Sequence, residues 1–341
     1  MIKNKKKLLI VATAVIALSV AFAGPSLGAK KFFVIATGGT GGTYYPLGGV
    51  LAQSLSTKVP EIIVTAQAAN ASTANLNLIR SHGIESAFVQ NNTAYQAYNG
   101  LDQFKDNPVK NVRGIASLYP EVIQIVTLKK AGIKSVAGLK GKSVIPGDRG
   151  SGTAVDAENI CSSAGIKFDD FGSLDWLSFS GIAQRMQDGQ ADAGFITAGI
   201  PTSSVMELTS STSISIVNLE DALVEKITST WPFYAKVIIP AGIYAGMDEP
   251  VQTVAVMAQW VCDADVPEDI IYTLTKALWE PGEFVLLEAK GKKEAAPPAN
   301  EIMAAAHAKG KDVTLDTALD GMAIPLHPGA EKYYREKGLI K

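Results

Sequence analysis

The sequence predicts a two-lobed α/β fold, with mostly parallel sheets and a cleft between the lobes, on three observations. The chain has 341 residues, enough at roughly 150 residues per domain for two separate cores. Apolar, β-rich runs alternate with helical patterns, the βαβα order that builds parallel sheets. A strand, a glycine-rich loop and a helix start also recur 110 residues apart, where Phe33-Val-Ile-Ala-Thr-Gly-Gly-Thr-Gly-Gly-Thr43 aligns with Ser143-Val-Ile-Pro-Gly-Asp-Arg-Gly-Ser-Gly-Thr153. Composition agrees: 47% hydrophobic and 19% charged residues exclude disorder, collagen and coiled coil. With 31 basic against 33 acidic residues there is no cationic excess to hold nucleic acid.

In chain order, the first lobe reads as strand 32–36, helix 46–58, strand 62–66, helix 73–81, strand 86–90 and helix 93–98. Residues 114–129 are two apolar runs around Tyr119-Pro120, where the chain crosses between lobes. The second lobe repeats the alternation: strand 142–145, helix 153–163, strand 174–179, helix 182–188, strand 193–197, helix 202–209 and strand 213–217. Beyond Trp231 come strands at 234–239 and 253–261, then a helix opened by the capping-box pattern Asp265-x-x-Glu268 with Pro267 in its first turn. Residues 290–308 read as a polar helical or loop segment and 323–341 as a docked amphipathic helix. The expected division is residues 30–118 plus 235–341 for the first lobe and 119–234 for the second.

The first 29 residues carry four lysines (Lys3, Lys5, Lys6, Lys7), no acid, and the apolar run Leu8 to Ala23, too short to span a bilayer. This is the pattern of a secretory signal, with cleavage expected after Ala23 or Ala29. The product expected is a soluble periplasmic protein. In an oxidising compartment Cys161 and Cys262 can pair, but they fall in different lobes, and two small buried hydrophobes is the reading preferred here.

Catalytic constellations are missing from the sequence. Gly39-x-Gly41 begins like a dinucleotide fingerprint, but Tyr44 stands at the third glycine position. Gly141-Lys142-Ser143 resembles the end of a phosphate loop, yet Val136 replaces the required glycine and the lysine opens a strand. His82, His307 and His327 are scattered without metal-ligand spacing. No nucleophile elbow occurs. Neither a cofactor, a metal nor an enzymatic activity is therefore expected.

What the sequence offers instead are two anion cradles. Glycine admits a close backbone approach, and the first N–H groups of a helix are unpaired and partially positive. Uncharged hydrogen-bonding side chains fall just beyond the strand ends, where α/β sheets bind ligands: Thr40, Thr43, Gln90, Asn91, Ser117, Ser151, Thr153 and Thr197. Tyr44, Tyr45, Tyr119, Trp231 and Tyr234 add aromatic surface. Each of these can equally serve as a cap or turn. Arg149 can pair with an acidic ligand or sit in solvent.

Seven motifs, Gly38-Gly-Thr-Gly-Gly-Thr-Tyr-Tyr-Pro46, Val89-Gln90 with Ala94 to Gly100, Ala116-Ser-Leu-Tyr-Pro-Glu121, Gly150-Ser-Gly-Thr153, Ile239 to Tyr244, Ala264 to Glu268 and Leu326 to Ala330 with Tyr333-Tyr334, together resemble the TAXI family. These are solute receptors of tripartite ATP-independent periplasmic (TRAP) transporters. The resemblance implies a type II periplasmic-binding-protein fold that captures a small anionic solute and delivers it to the TRAP membrane subunits. Glutamate, glutamine or a related dicarboxylate is the implied solute. It places ligand contacts on Thr40, Gly42, Thr43 and Tyr44, on Gln90, on Ser117 and Tyr119, and on Ser151, Gly152 and Thr153. Thr197 and Trp231 complete the candidate site. Two departures fall near the cleft: Asp148-Arg149 replaces the family's Asn-Pro, and Trp231 replaces its tyrosine before proline. A receptor for an ABC importer or sensor kinase, or an enzyme on the same fold, is the alternative.

Overall fold

A computed structural model describes residues 30–282, 286–289 and 292–341. The expected secretory signal at 1–29 lies outside the described residues. The first elements are β1 (Lys31–Ala36), α1 (Tyr44–Lys58), β2 (Ile62–Gln67), α2 (Ala71–Arg80), β3 (Ser86–Gln90) and α3 (Asn91–Asn99). Strand β1 lies parallel between β2 and β3. After the long strand β4 (Val112–Leu128) come β5 (Ser143–Ile145), α4 (Gly152–Ser163), β6 (Ser173–Leu174), α5 (Phe179–Gln187), β7 (Ala193–Ala198), α6 (Ser203–Ser211) and β8 (Ile214–Ile216). Here β5 lies parallel between β6 and β7. Both lobes therefore carry the parallel βαβ order that the alternating pattern predicts.

The remaining elements follow β8, and of these the strand Val251–Asp263 joins the two halves. These are α7 (Asp221–Thr230), β9 (Ala235–Ile239), β10 (Val251–Asp263), α8 (Glu268–Trp279), the hairpin β11 (Leu286–Ala289) and β12 (Lys292–Ala295), α9 (Ala299–Ala306) and α10 (Pro328–Glu336). Strands β4 and β10 pair antiparallel from Val122↔Ala255 to Val112↔Asp263. One sheet results, in the order β2-β1-β3-β10-β4-β7-β5-β6, with β8 on β4 and β9 on β10. The two apolar runs around Tyr119-Pro120 are thus one strand of 17 residues. Pro120 has no N–H to give, and opposite it the register of β10 slips between Met257 and Gln259.

Four apolar clusters lie along this sheet. Phe33, Leu51 and Trp260 anchor one and Leu76, Phe88's neighbour Val89 and Phe104 a second, both packed on the first βαβ unit. Ile123, Ile160 and Phe195 belong to a third and Val126, Ile182 and Tyr244 to a fourth, both on the second unit. Ile239, Tyr244, Met247 and Ala255 pack in the fourth cluster. The first half of β10 thus packs on the second core, while Trp260 and Cys262 near its end pack on the first.

Local departures have local causes. Of the strand expected at 174–179 only Ser173–Leu174 forms, since Ser178 caps α5, its Oγ accepting from the Gly181 N–H at 3.4 Å. Asp265 does not cap α8: the helix begins after Pro267, whose fixed φ suits a helix start, and the Asp265 N–H donates to Asp263 Oδ1 at 3.1 Å. Helix α7 was not anticipated, although Val224 and Ile227 form its buried face.

Cys161 and Cys262 are free, buried and in different clusters. Burial pushes Cys161 up to about 12 and Cys262 well above the ordinary thiol range. Neither thiol should react with a disulfide reagent in the native protein, and both should react after unfolding. One thiol titrating under native conditions would contradict this packing.

Candidate functional site

The glycine-rich loops of the pseudo-repeat open onto one cleft. Its walls include Gly38, Gly39, Gly42, Thr43 and Tyr44 from the first loop and Asp148, Ser151, Gly152 and Thr153 from the second. The cleft encloses a cavity of about 50 Å³ that opens partly to solvent. The starts of five helices meet there: Thr43 before α1, Asn70 before α2, Gln90 before α3, Ser151 before α4 and Ser178 before α5. Their first N–H groups give the walls a positive potential. Among the described residues no Arg, Lys or His side chain lines the cleft.

The lobes touch across it. The Ala74 N–H donates to the Gly150 carbonyl at 3.0 Å, the Ser204 N–H to the Gly41 carbonyl at 3.2 Å, and Thr43 Oγ1 to the Gly199 carbonyl at 3.4 Å. Gly152 is packed against Gln90 and Ser72 so closely that a Cβ would collide with the Gln90 amide. The absence of a side chain at Gly152 is therefore what lets α4 meet β3.

Beneath this contact sits Asp156, fully buried on α4. It accepts four hydrogen bonds: from Gln90 Nε2 at 3.0 Å, Asn92 Nδ2 at 3.0 Å, Thr197 Oγ1 at 2.9 Å and Tyr234 OH at 2.8 Å. Burial pushes its carboxyl up to about 6, against the pull of those four donors. Glu121 on β4 is also buried, 2% exposed, and lines the cleft. Its carboxylate accepts from Tyr44 OH at 2.7 Å. Burial raises its pKa well above the usual range, the Tyr44 hydrogen bond lowers it, and the nearby Asp156 charge raises it further. Tyr44 and Tyr119 are raised too, by burial first and then by Glu121.

The candidate residues divide into two groups. Gly42, Thr43, Tyr44, Gln90, Ser151, Gly152, Thr153 and Thr197 stand together in the cleft wall. Thr40 is exposed on the loop beside it. Ser117 is buried elsewhere, its Oγ donating to the Asp320 carbonyl at 2.6 Å. Tyr119 is buried behind Glu121, its hydroxyl without a hydrogen-bond partner among the described residues. Trp231 stands edge-on to Tyr234, 6.4 Å between centroids, and so meets the Asp156 cluster only through that ring. Arg149 lies over the Trp176 ring at 5.0 Å, on an exposed surface. Glu121 and Asp156 are the residues that sequence reasoning passed over. The first is a lone acid inside the apolar run Ser117 to Val126, and the second shares a buried helical face with Thr153, Ala157 and Ile160.

The sequence profile described as the NMT1-like family matches residues 35–338. Among solved structures, a protein from Bordetella bronchiseptica RB50 is 15% identical, with a TM-score of 0.53 over 91% of this chain and 99% of that one. PhnD1 from Prochlorococcus marinus (MIT 9301), in complex with methylphosphonate, is 13% identical, with a TM-score of 0.50 over 91% and 99%. The alkanesulfonate-binding protein SsuA from Xanthomonas axonopodis pv. citri is 15% identical, with a TM-score of 0.43 over 69% of this chain and 65% of that one. The first two have the same two-lobed fold.

Two expectations follow from the site. The raised Asp156 carboxyl keeps its proton in the folded chain over a range in which the unfolded chain has lost it. Its contribution is thus fully present below about pH 4 and is lost as pH rises through about 6, a change of roughly 3 kcal/mol. Urea unfolding of wild type and Asp156→Asn at both ends of that range should show the difference between them shifting against wild type by this amount; a constant difference would refute it. Ser151 Oγ accepts from the Ala154 N–H at 3.1 Å and donates to the Asp148 carbonyl at 2.7 Å, so its proton is already committed. Ser151→Ala should lower folding stability by about 1 kcal/mol and leave ligand affinity unchanged by titration calorimetry.

Proposed function

The chain belongs to the NMT1-like family, and on that premise we propose that it is an extracytoplasmic receptor closing two lobes over a small organic anion. The observation that carries this is the meeting of five helix starts in one cleft between the lobes. Unpaired backbone N–H groups bind an anion without a cationic side chain. Closure would place the solute out of water, where such dipoles act most strongly. Gly42, Thr43, Tyr44, Gln90, Gly152, Thr153 and Thr197 are the proposed lining, with Ser151 acting through the backbone it holds. Thr40 borders the entrance and Tyr119 lies behind Glu121, while Ser117 and Trp231 are left out of the proposed lining. PhnD1, of the same fold, holds methylphosphonate, a small organic anion of this class.

The partner proposed on the motif resemblance is a TRAP-type ion-coupled permease. The same resemblance supports glutamate, glutamine or a dicarboxylate as solute. Uptake that requires ATP in vesicles reconstituted with the permease would assign the receptor to an ABC importer instead. The extracytoplasmic placement agrees with the secretory pattern at 1–29. Among the described residues no helix is long and apolar enough to cross a membrane. A binding role rather than catalysis is the reading proposed, in keeping with a sequence that carries no recognisable catalytic motif.

Native mass spectrometry of protein purified from cells should find one small acid bound, and thermal stability should rise with that acid's concentration. An unchanged melting temperature across a broad panel of carboxylic, amino and phosphonic acids would remove the reading. Gly152→Ala, which obstructs the approach of α4 to Gln90, should weaken affinity at least 10-fold, about 1.4 kcal/mol. An unaltered affinity in that variant would show that closure does not bring these elements together.

A further inference from the structure

The two buried carboxyls differ in how they are answered. Asp156 receives four donors, two on each oxygen. Glu121, equally buried and in the cleft wall, receives one, from Tyr44 OH to Oε2. Its other oxygen has no hydrogen-bond partner among the described residues, and no salt bridge among them includes Glu121. Asp156, whose charge acts on it from behind the wall, and Asp148, the other charged residue of the lining, are both acidic. A buried carboxyl answered by a single donor holds its proton until a cation comes beside it, because its charge alone is strongly unfavourable away from water. The helix starts that ring the cleft relieve it only in part, because they also face the solute.

We propose that Glu121 selects the solute's second functional group, a positively charged nitrogen, so that the receptor takes amine-bearing acids and discriminates against the matching acids that lack nitrogen. This rests on the receptor reading above and adds polarity to it. The solute's anionic end faces the helix starts, and its ammonium group faces the free oxygen of Glu121. An ammonium there would supply the missing donors and countercharge, and would hold the carboxyl ionised. A dicarboxylate without nitrogen would instead bring a second negative charge towards Glu121, with no cationic side chain among the described residues of the cleft to receive it.

Matched acids test this on the unmodified protein: L-glutamate against 2-oxoglutarate, L-alanine against pyruvate, and 2-aminoethylphosphonate against ethylphosphonate, by thermal shift and calorimetry. The amine-bearing member of the pair that binds should be favoured about 10- to 150-fold, the range of a hydrogen bond to a charged group. Glu121→Gln keeps the shape but not the charge, and should lower amine-acid affinity by a similar factor while narrowing the gap to the nitrogen-free partner. Its melting temperature without solute reports whether it folds. Equal or stronger binding of the nitrogen-free members would overturn the assignment of Glu121 and leave the receptor reading standing. No stabilisation by any acid, with or without nitrogen, would overturn both.

Discussion

Asp156 is the point on which the rest of the architecture converges. A carboxyl is tolerated at zero exposure only when its lone pairs are filled, and here the donors come from four places: the end of β3, the start of α3, β7, and Tyr234 ahead of β9. Gln90 and Asn92 belong to the first βαβ unit, whereas Asp156 and Thr197 belong to the second. Two of the four bonds that satisfy the charge, those from Gln90 and Asn92, therefore also fasten one lobe to the other. Gly152 sits one helical turn above on α4, and its bare Cα is what brings Gln90 within reach. If that contact were lost, Asp156 would face either water, by opening, or an unpaired interior. The geometry of the cleft wall is tied to this choice.

Around that hub the two glycine-rich loops are alike in form and different in use. Thr43 caps no backbone of its own helix and instead reaches across to Gly199. Ser151, its counterpart, turns inward and ties its own loop to α4. The sequence alignment pairs Thr43 with Thr153, but the helix starts pair Thr43 with Ser151. The repeat thus describes a shared backbone plan more faithfully than a shared set of side-chain roles.

Much of the fold was legible because its signals are local. The β-rich runs and helical spacings of both βαβ units need only short windows, and the strands and helices they mark form close to the expected limits. The elements that escaped, the loss of most of 174–179 and the presence of α7, are short segments decided by one cap or one pair of buried residues. In the site, glycine and hydroxyl patterns pointed to the cleft wall because backbone approach leaves a mark in composition. Glu121 and Asp156 left none: their meaning comes from tertiary neighbours, Tyr44 in one case and Gln90, Asn92, Thr197 and Tyr234 in the other. Ser117 fails to reach the wall for the same reason, since its partner Asp320 is distant in sequence, whereas Trp231 is held off it by its near neighbour Tyr234.

The passage of β10 between β3 and β4 has a consequence for the order of events during synthesis. Strand β3 is flanked by β1 on one side, but its other edge is covered only by Ala258–Cys262. The Trp260 indole, which donates to Ser86 Oγ at 3.1 Å, comes from that same late stretch. The amino-terminal half thus leaves the ribosome with an open sheet edge and an unfilled core. Contacts this far apart in sequence form slowly. The first βαβ unit therefore cannot complete its sheet until the late strand β10 has been made.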